Sequence, residues 1–168
     1  MRVTRVGFIC TGNICRSPMA EVVTTALVDA DPLLRGTILI SSAGTANWHV
    51  DRPMDDRARS ALDRAGFAGL GTVARFADRQ YLEDLDLVVA MTREQRREVR
   101  ERYGSLGGRV ILMRSMLEPA HDLDVADPYY GDGSEFDACL GALIPACQEL
   151  VRVLRLGGEP FAVSPPAT

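Results

Sequence analysis

Cys10 and Arg16 stand six residues apart in the stretch CTGNICRS, and the two residue types at that spacing can do displacement chemistry on an oxyanion. A thiolate attacks, and a planar guanidinium holds two oxygens of a tetrahedral anion at once. Between them Gly12 lets the backbone turn, and Asn13 accepts a left-handed conformation better than most residues. A loop of this kind, curled over a helix N-terminus, points successive N–H groups inward and adds the positive end of the helix dipole. Positive potential at the floor of such a hollow favours the thiolate over the thiol at Cys10. Taken singly, a cysteine ending a strand is usually a small buried hydrophobe and an arginine a surface residue. Together with Ser17 and Pro18 in one strand-to-helix turn, they favour the chemical reading.

The elements that must position this loop follow from apolar periodicity. The runs RVGFIC to Cys10, TILISSA from Thr37, DLVVAM from Asp86 and RVILM from Arg109 read as buried strands. The first helix is predicted with Ser17 as N-cap and Pro18 at its first position, and with Met19, Val22, Val23, Ala26 and Leu27 on its inner face. A second has Asp55 or Asp56 as cap, Ala58, Ala61, Leu62 and Ala65 inward and Gly66 as its stop. A third spans Arg93 to about Tyr103. A last runs from a Ser134 cap through Phe136, Leu140, Leu143, Cys147, Val151 and Leu154, kinked at Pro145. Strands alternating with helices imply an α/β fold, a doubly wound parallel sheet with helices on both faces. The loop from Cys10 to Arg16 then lies beyond the carboxyl end of a strand, where such sheets bind ligands. One segment breaks the rhythm: about twenty residues between Met113 and Ser134, containing DVADPYYGDG, show no periodicity, and loops that long in a compact domain usually serve function.

The stretch VGFICTGNICRSPMAE resembles the signature of the low-molecular-weight protein tyrosine phosphatases, and the resemblance extends from residue 4 to about 155. It implies a four-stranded parallel sheet in a single domain, residues 1–156, followed by a flexible tail at 157–168. By the same resemblance Cys10 is the nucleophile and Arg16 the phosphate clamp. Asp127 of DPYY is the general acid, which protonates the leaving phenol and then activates water to hydrolyse a cysteinyl phosphate. Substrate contacts are expected from Thr11, Gly12, Asn13, Ile14, Cys15 and Ser17, with Ser17 stabilising the thiolate and Asn13 bonded to a supporting Ser42. Trp48, Tyr129 and Tyr130 match the family's pocket walls. Ile14 matches the phosphotyrosine type, since members that prefer phosphoarginine carry threonine there. Thr92 departs from the pattern, because many members carry a supporting aspartate at that position. Cys15 has two readings. It is a small residue packed under the loop, or it is a resolving thiol that forms a disulfide with an oxidised Cys10.

Composition narrows the alternatives. All 19 basic residues are arginine, so lysine Schiff-base chemistry and the nucleotide P-loop lysine are excluded. A net charge of −4 repels polyanions, so nucleic acid is not an expected partner, and no apolar run approaches the roughly 18 residues of a membrane span. Four cysteines and only His49 and His121 give no metal-ligand spacing, so neither metal nor other cofactor is expected. The expected partners are phosphotyrosine proteins or small aryl phosphates, with inorganic phosphate as product and inhibitor. The expected state is a monomer or weak dimer in the cytoplasm, with a leaderless export route left open. Two other readings remain: an arsenate reductase of the same fold, which needs relay cysteines that are missing between Cys15 and Cys139, and a silent phosphopeptide-binding module, which could dispense with Cys10 or Asp127. Cys139 and Cys147 fall on the last helix's packing surface. In REQRREVRERYG the glutamates interleave with arginines as Arg97/Glu101 and Glu98/Arg102 pairs, which reads as a solvated face.

Overall fold

The computed structural model describes residues 3–67, 71–104, 109–117 and 122–157. Its centre is one parallel sheet of β1 (Thr4–Cys10), β2 (Ile38–Gly44), β3 (Leu87–Ala90) and β4 (Arg109–Leu112), in the order β2-β1-β3-β4. The register pairs Cys10 with Gly44 on one side of β1 and Ile9 with Ala90 on the other, so the carboxyl ends finish together. The chain leaves β1 for β2 on one flank and returns to β3 on the other. That reversal opens a crevice at the end of β1, where the loop from Cys10 begins.

Alternation along β1 divides the core. Val6, Phe8 and Cys10 point to a layer formed by α1 (Arg16–Ala30), α2 (Asp56–Arg64) and α5 (Gly133–Arg155). Ile9 points to the opposite layer, with Leu82 and Leu85 around the short α3 (Arg79–Glu83) and Val99 of α4 (Arg93–Tyr103). Being covered on both faces, β3 is apolar throughout, as parallel strands must be. α3 and a 3-10 turn at Met113–Met116 carry no sequence signal long enough to have been expected.

Four local expectations are corrected. α1 begins two residues earlier than Ser17 as cap would allow: Cys15 holds the N-cap, and Ser17 lies within the first turn, its hydroxyl engaged elsewhere. Pro18 loses no hydrogen bond there, because first-turn N–H groups have no helical partner. α5 is capped by Asp132, whose carboxylate accepts from Ser134 N at 2.9 Å, so Ser134 is the capped residue and not the cap. The helix runs through Pro145, as expected of a span that includes it, and both Pro145 and Gly141, whose carbonyl loses its partner, lie on the solvent side. Ala65 is an exposed C-cap, followed by Gly66 at φ +85°, and takes no part in the inner face. On α4, Arg97 meets Glu101 at 3.8 Å, but Arg102 leaves Glu98 and donates to the Thr45 carbonyl at 2.6 Å. Among the described residues no helix is long and apolar enough to cross a membrane. The tail expected to be flexible lies, Gly157 apart, outside the described residues.

Candidate active site

The loop from Cys10 to Arg16 is held closed by its own backbone and by β2. Thr45 N and Ala46 N donate to the carbonyls of Cys10 and Thr11 at 2.9 and 3.0 Å. This contact requires a glycine at the end of β2: a Cβ on Gly44 would lie 2.5 Å from the Thr11 carbonyl oxygen. Asn13 adopts φ 57°, the left-handed conformation that lets the loop reverse. Its amide is fixed on every side. Oδ1 accepts from Arg75 N at 2.9 Å, while Nδ2 donates to Ser17 Oγ and to Ser42 Oγ, each at 2.8 Å.

The amide therefore sets the direction of a buried hydrogen-bond chain. Ser42 accepts from Asn13 and passes its own proton to Glu21 Oε2. Ser17 also accepts from Asn13, which leaves its hydroxyl proton for Cys10 Sγ, 3.0 Å away. A donor aimed at sulfur stabilises a thiolate. Glu21, at the far end, is largely buried, and desolvation raises its pKa against the opposing effects of Ser42 and Arg75.

Arg16 is buried and its guanidinium is only partly satisfied. Nη1 donates to the Val125 carbonyl at 3.1 Å and Nη2 to Asp127 Oδ2 at 3.0 Å, while Nε is buried without a partner. Asp127 itself is half-exposed. The late segment reaches the cleft because it is tied down at several points. Val125 N donates to the Met91 carbonyl, Asp124 accepts from Arg93 N at 2.8 Å, and Arg57 Nη1 donates to the Gly131 carbonyl at 2.7 Å. The Arg57 guanidinium is oriented by Asp55, which caps α2, and it lies 5.8 Å from the Tyr129 ring centroid. Asp55 N in turn donates to the Ile14 carbonyl, so the Cys10 loop and the Asp127 loop share one strut.

These elements enclose a cleft of ≈ 280 Å³. Cys10, Arg16 and Asp127 line it together with Thr11, Gly12, Ile14, Cys15, Trp48, Tyr129 and Tyr130. Asn13, Ser17 and Ser42 are buried behind the loop and do not line the cleft, so they are placed to hold its shape. Trp48 is 71% exposed and Tyr130 93%, so these walls are rim and not core. Cys15 is buried, and desolvation, then the Asp55 carboxylate and Cys10, push its thiol pKa far up. Burial likewise raises Cys139 and Cys147, each to about 12. Among the described residues no cluster of ligating side chains could hold a metal ion.

Several residues of the site escaped sequence reasoning. His49 lines the cleft between Trp48 and Tyr129, its ring 6.3 Å from that of Tyr129. Glu21, Gly44, Arg57 and Gln95 act through others. Gln95 forms a capping box with Thr92 at the start of α4 and donates from Nε2 to Thr11 Oγ1 at 3.1 Å. The position where Thr92 departs from the family pattern thus supports the loop through its neighbour. Only the pairing of Thr92 with Gln95 three residues on could have signalled this.

A family model described as low molecular weight phosphotyrosine protein phosphatase matches residues 5–158. A low molecular weight protein-tyrosine-phosphatase of Streptomyces coelicolor is 40% identical over 156 residues, which is 90% of this chain and 93% of the relative. The crystal structure of a protein tyrosine phosphatase from Entamoeba histolytica, with HEPES in its active site, superposes with a TM-score of 0.82 at 27% identity, covering 92% of this chain and 98% of that one. The YwlE arginine phosphatase superposes with a TM-score of 0.81 at 25% identity over 94% of this chain and 100% of its own. Because the match runs from the first strand through the last helix, the chain belongs to the low molecular weight phosphotyrosine protein phosphatase family, and its enzymatic class is that of the hydrolases.

Proposed function

We propose that the protein hydrolyses phosphotyrosine in proteins, and small aryl phosphates, through a phosphate ester on the Cys10 sulfur. The observation that carries this reading is the convergence of Cys10, Arg16 and Asp127 on one cleft from the first loop and a late one. A phosphate entering the cleft takes over the free Nε of Arg16 and the Nη2 that Asp127 now occupies. Loop N–H groups and the guanidinium then hold the three equatorial oxygens, a preorganised electrostatic cradle. Cys10 Sγ attacks phosphorus in line, forming the S–P bond as the P–O bond to the phenol breaks, and the proton for the phenolate comes from Asp127. Asp127 then takes a proton from water as that water's oxygen attacks phosphorus and releases Cys10. Cys15, with its pKa driven up by burial, takes no part.

The likeness to an arginine phosphatase supports a second reading, phosphoarginine as substrate. Ile14 on the cleft wall, with the aromatic rim of Trp48 and Tyr129, supports the phosphotyrosine reading instead. Matched peptides carrying phosphotyrosine, phosphoserine or phosphoarginine decide between them. The expected kcat/KM for phosphotyrosine exceeds the other two on the order of 100-fold, since a short serine arm does not carry its phosphate past the rim to Cys10. Equal values for phosphotyrosine and phosphoserine, or a preference for phosphoarginine, contradict it.

A further inference from the structure

α4 carries its charges in two separate stripes. At roughly 100° per residue, Arg93, Arg96, Arg97 and Arg100 share an arc of roughly 100°, and Glu94, Glu98 and Glu101 a neighbouring arc of roughly 60°. Gln95 and Val99 point inward. The four arginines line a surface groove with Glu101. Their partners do not match their charge. Arg93 is neutralised by Asp124 at 3.2 Å, and Arg97 has only the long contact to Glu101 at 3.8 Å. Arg100 donates to the Val110 carbonyl, which bears no net charge, and Arg96 has no ion pair among the described residues. Burial and then the like charges of Arg100 and Arg93 pull the Arg96 pKa down. Arg93/Arg97 and Arg96/Arg100 are like-charge pairs at i,i+4, which weaken a helix. Beyond Arg93 the charge of the stripe is little compensated within the fold, and it stands on a chain whose net charge is −4.

Its place relative to the cleft is fixed. Arg93 binds Asp124, the next residue, Val125, accepts from Arg16, and Asp127 follows two residues later. The stripe therefore starts beside the acid loop and runs about 10 Å along α4, the reach of three or four extended residues. We propose that Arg96, Arg97 and Arg100 dock an acidic segment of the protein whose phosphotyrosine occupies the cleft. This rests on the phosphotyrosine reading of the cleft and names the substrate class more narrowly: phosphotyrosine proteins with a short acidic run near the modified tyrosine. Carboxylates suit the guanidinium forks. A long polyanion does not suit the site, because the glutamate stripe alongside and the negative chain repel it.

The test compares the wild-type protein with the triple variant Arg96→Gln/Arg97→Gln/Arg100→Gln, which keeps helix propensity and touches no cleft residue. Two phosphotyrosine peptides share a core sequence, one extended by tetraglutamate and the other by tetraserine, with each extension placed on either side of the phosphotyrosine. At low salt the wild type is expected to prefer the glutamate peptide about ten-fold in kcat/KM through KM, with the preference fading as salt rises. The variant is expected to treat both alike and to turn over an aryl phosphate at the wild-type rate. Equal handling by the wild type, or a preference that survives in the variant, overturns the proposal. Anisotropy of a fluorescein-labelled hexaglutamate peptide reads docking without turnover, so docking is decided even if aryl phosphate hydrolysis is absent and the phosphatase reading fails. Loss of this binding in the variant is expected. Equal binding by both proteins, or tighter binding to a duplex oligonucleotide or to phosphatidylserine vesicles, overturns the choice of an acidic peptide.

Discussion

Arg16 and Asp127 hold each other at 3.0 Å, so in the mechanism proposed above substrate exchanges one ion pair for another before reaction begins. That exchange frees the Asp127 carboxyl beside the leaving oxygen, and it sets a test of the acid's role. Asp127→Asn is expected to lose about 10² to 10⁴ in kcat with a poor leaving group such as phenol and far less with p-nitrophenol. Equal losses across a leaving-group series mean that Asp127 only positions Arg16. Glu21 allows a second test. Burial raises its pKa, so the native state takes up a proton before the unfolded chain does as pH falls. Its contribution to stability is therefore most favourable at low pH and is lost as pH rises through the raised value. Glu21→Gln keeps an acceptor for Ser42 without the charge, so thermal melts taken upward in pH from the ordinary glutamate range should show the variant gaining on the wild type. A constant difference in melting temperature across those melts rules out the titration. Cys10 and Arg16, which line one cleft, were legible as a pair from type and spacing. Glu21, which acts through Ser42 and Asn13, was not, because a glutamate on a helix gives no sign of what it faces once packed.

At the scale of elements, the strands were readable because a parallel sheet covered on both faces must be apolar, and Leu87–Ala90 is apolar throughout. Helix ends were less so. Ser17 resembles an N-cap by composition, but its hydroxyl serves Cys10, and a cap assigned from residue type cannot detect that competition. α3 has five residues and draws its stability from Leu82 in the core, which leaves little periodicity to find. The start of α4 shows how a cap can serve a site, since Gln95 bonds Thr92 N and Thr11 Oγ1. Gln95→Met keeps the volume and removes both bonds. Chemical denaturation should report a loss of about 1–2 kcal/mol, and kcat/KM for an aryl phosphate should fall several-fold as Thr11 loosens. An unchanged kcat/KM in a destabilised protein means that the box only caps the helix.

At the scale of the whole molecule, the sheet order brings two distant loops to one crevice: the Cys10 loop after β1 and the Asp127 loop after β4, tied by Arg16 to Val125 and by Arg57 to Gly131. Strand order depends on which faces bury which helices and is not written in any single segment. This is why the sequence placed Asp127 beside Cys10 only by resemblance, and why the wall residue His49 went unseen. The account stands on Cys10 carrying the phosphate. Mixing the protein with an aryl phosphate, quenching in acid within the first turnover and mapping the phosphorylated peptide by mass spectrometry tests this most directly. One phosphate on the Cys10 sulfur, absent from a Cys10→Ser protein that no longer turns over yet still binds vanadate, is the expected result. Phosphate on another residue, or appreciable hydrolysis by Cys10→Ser, contradicts it.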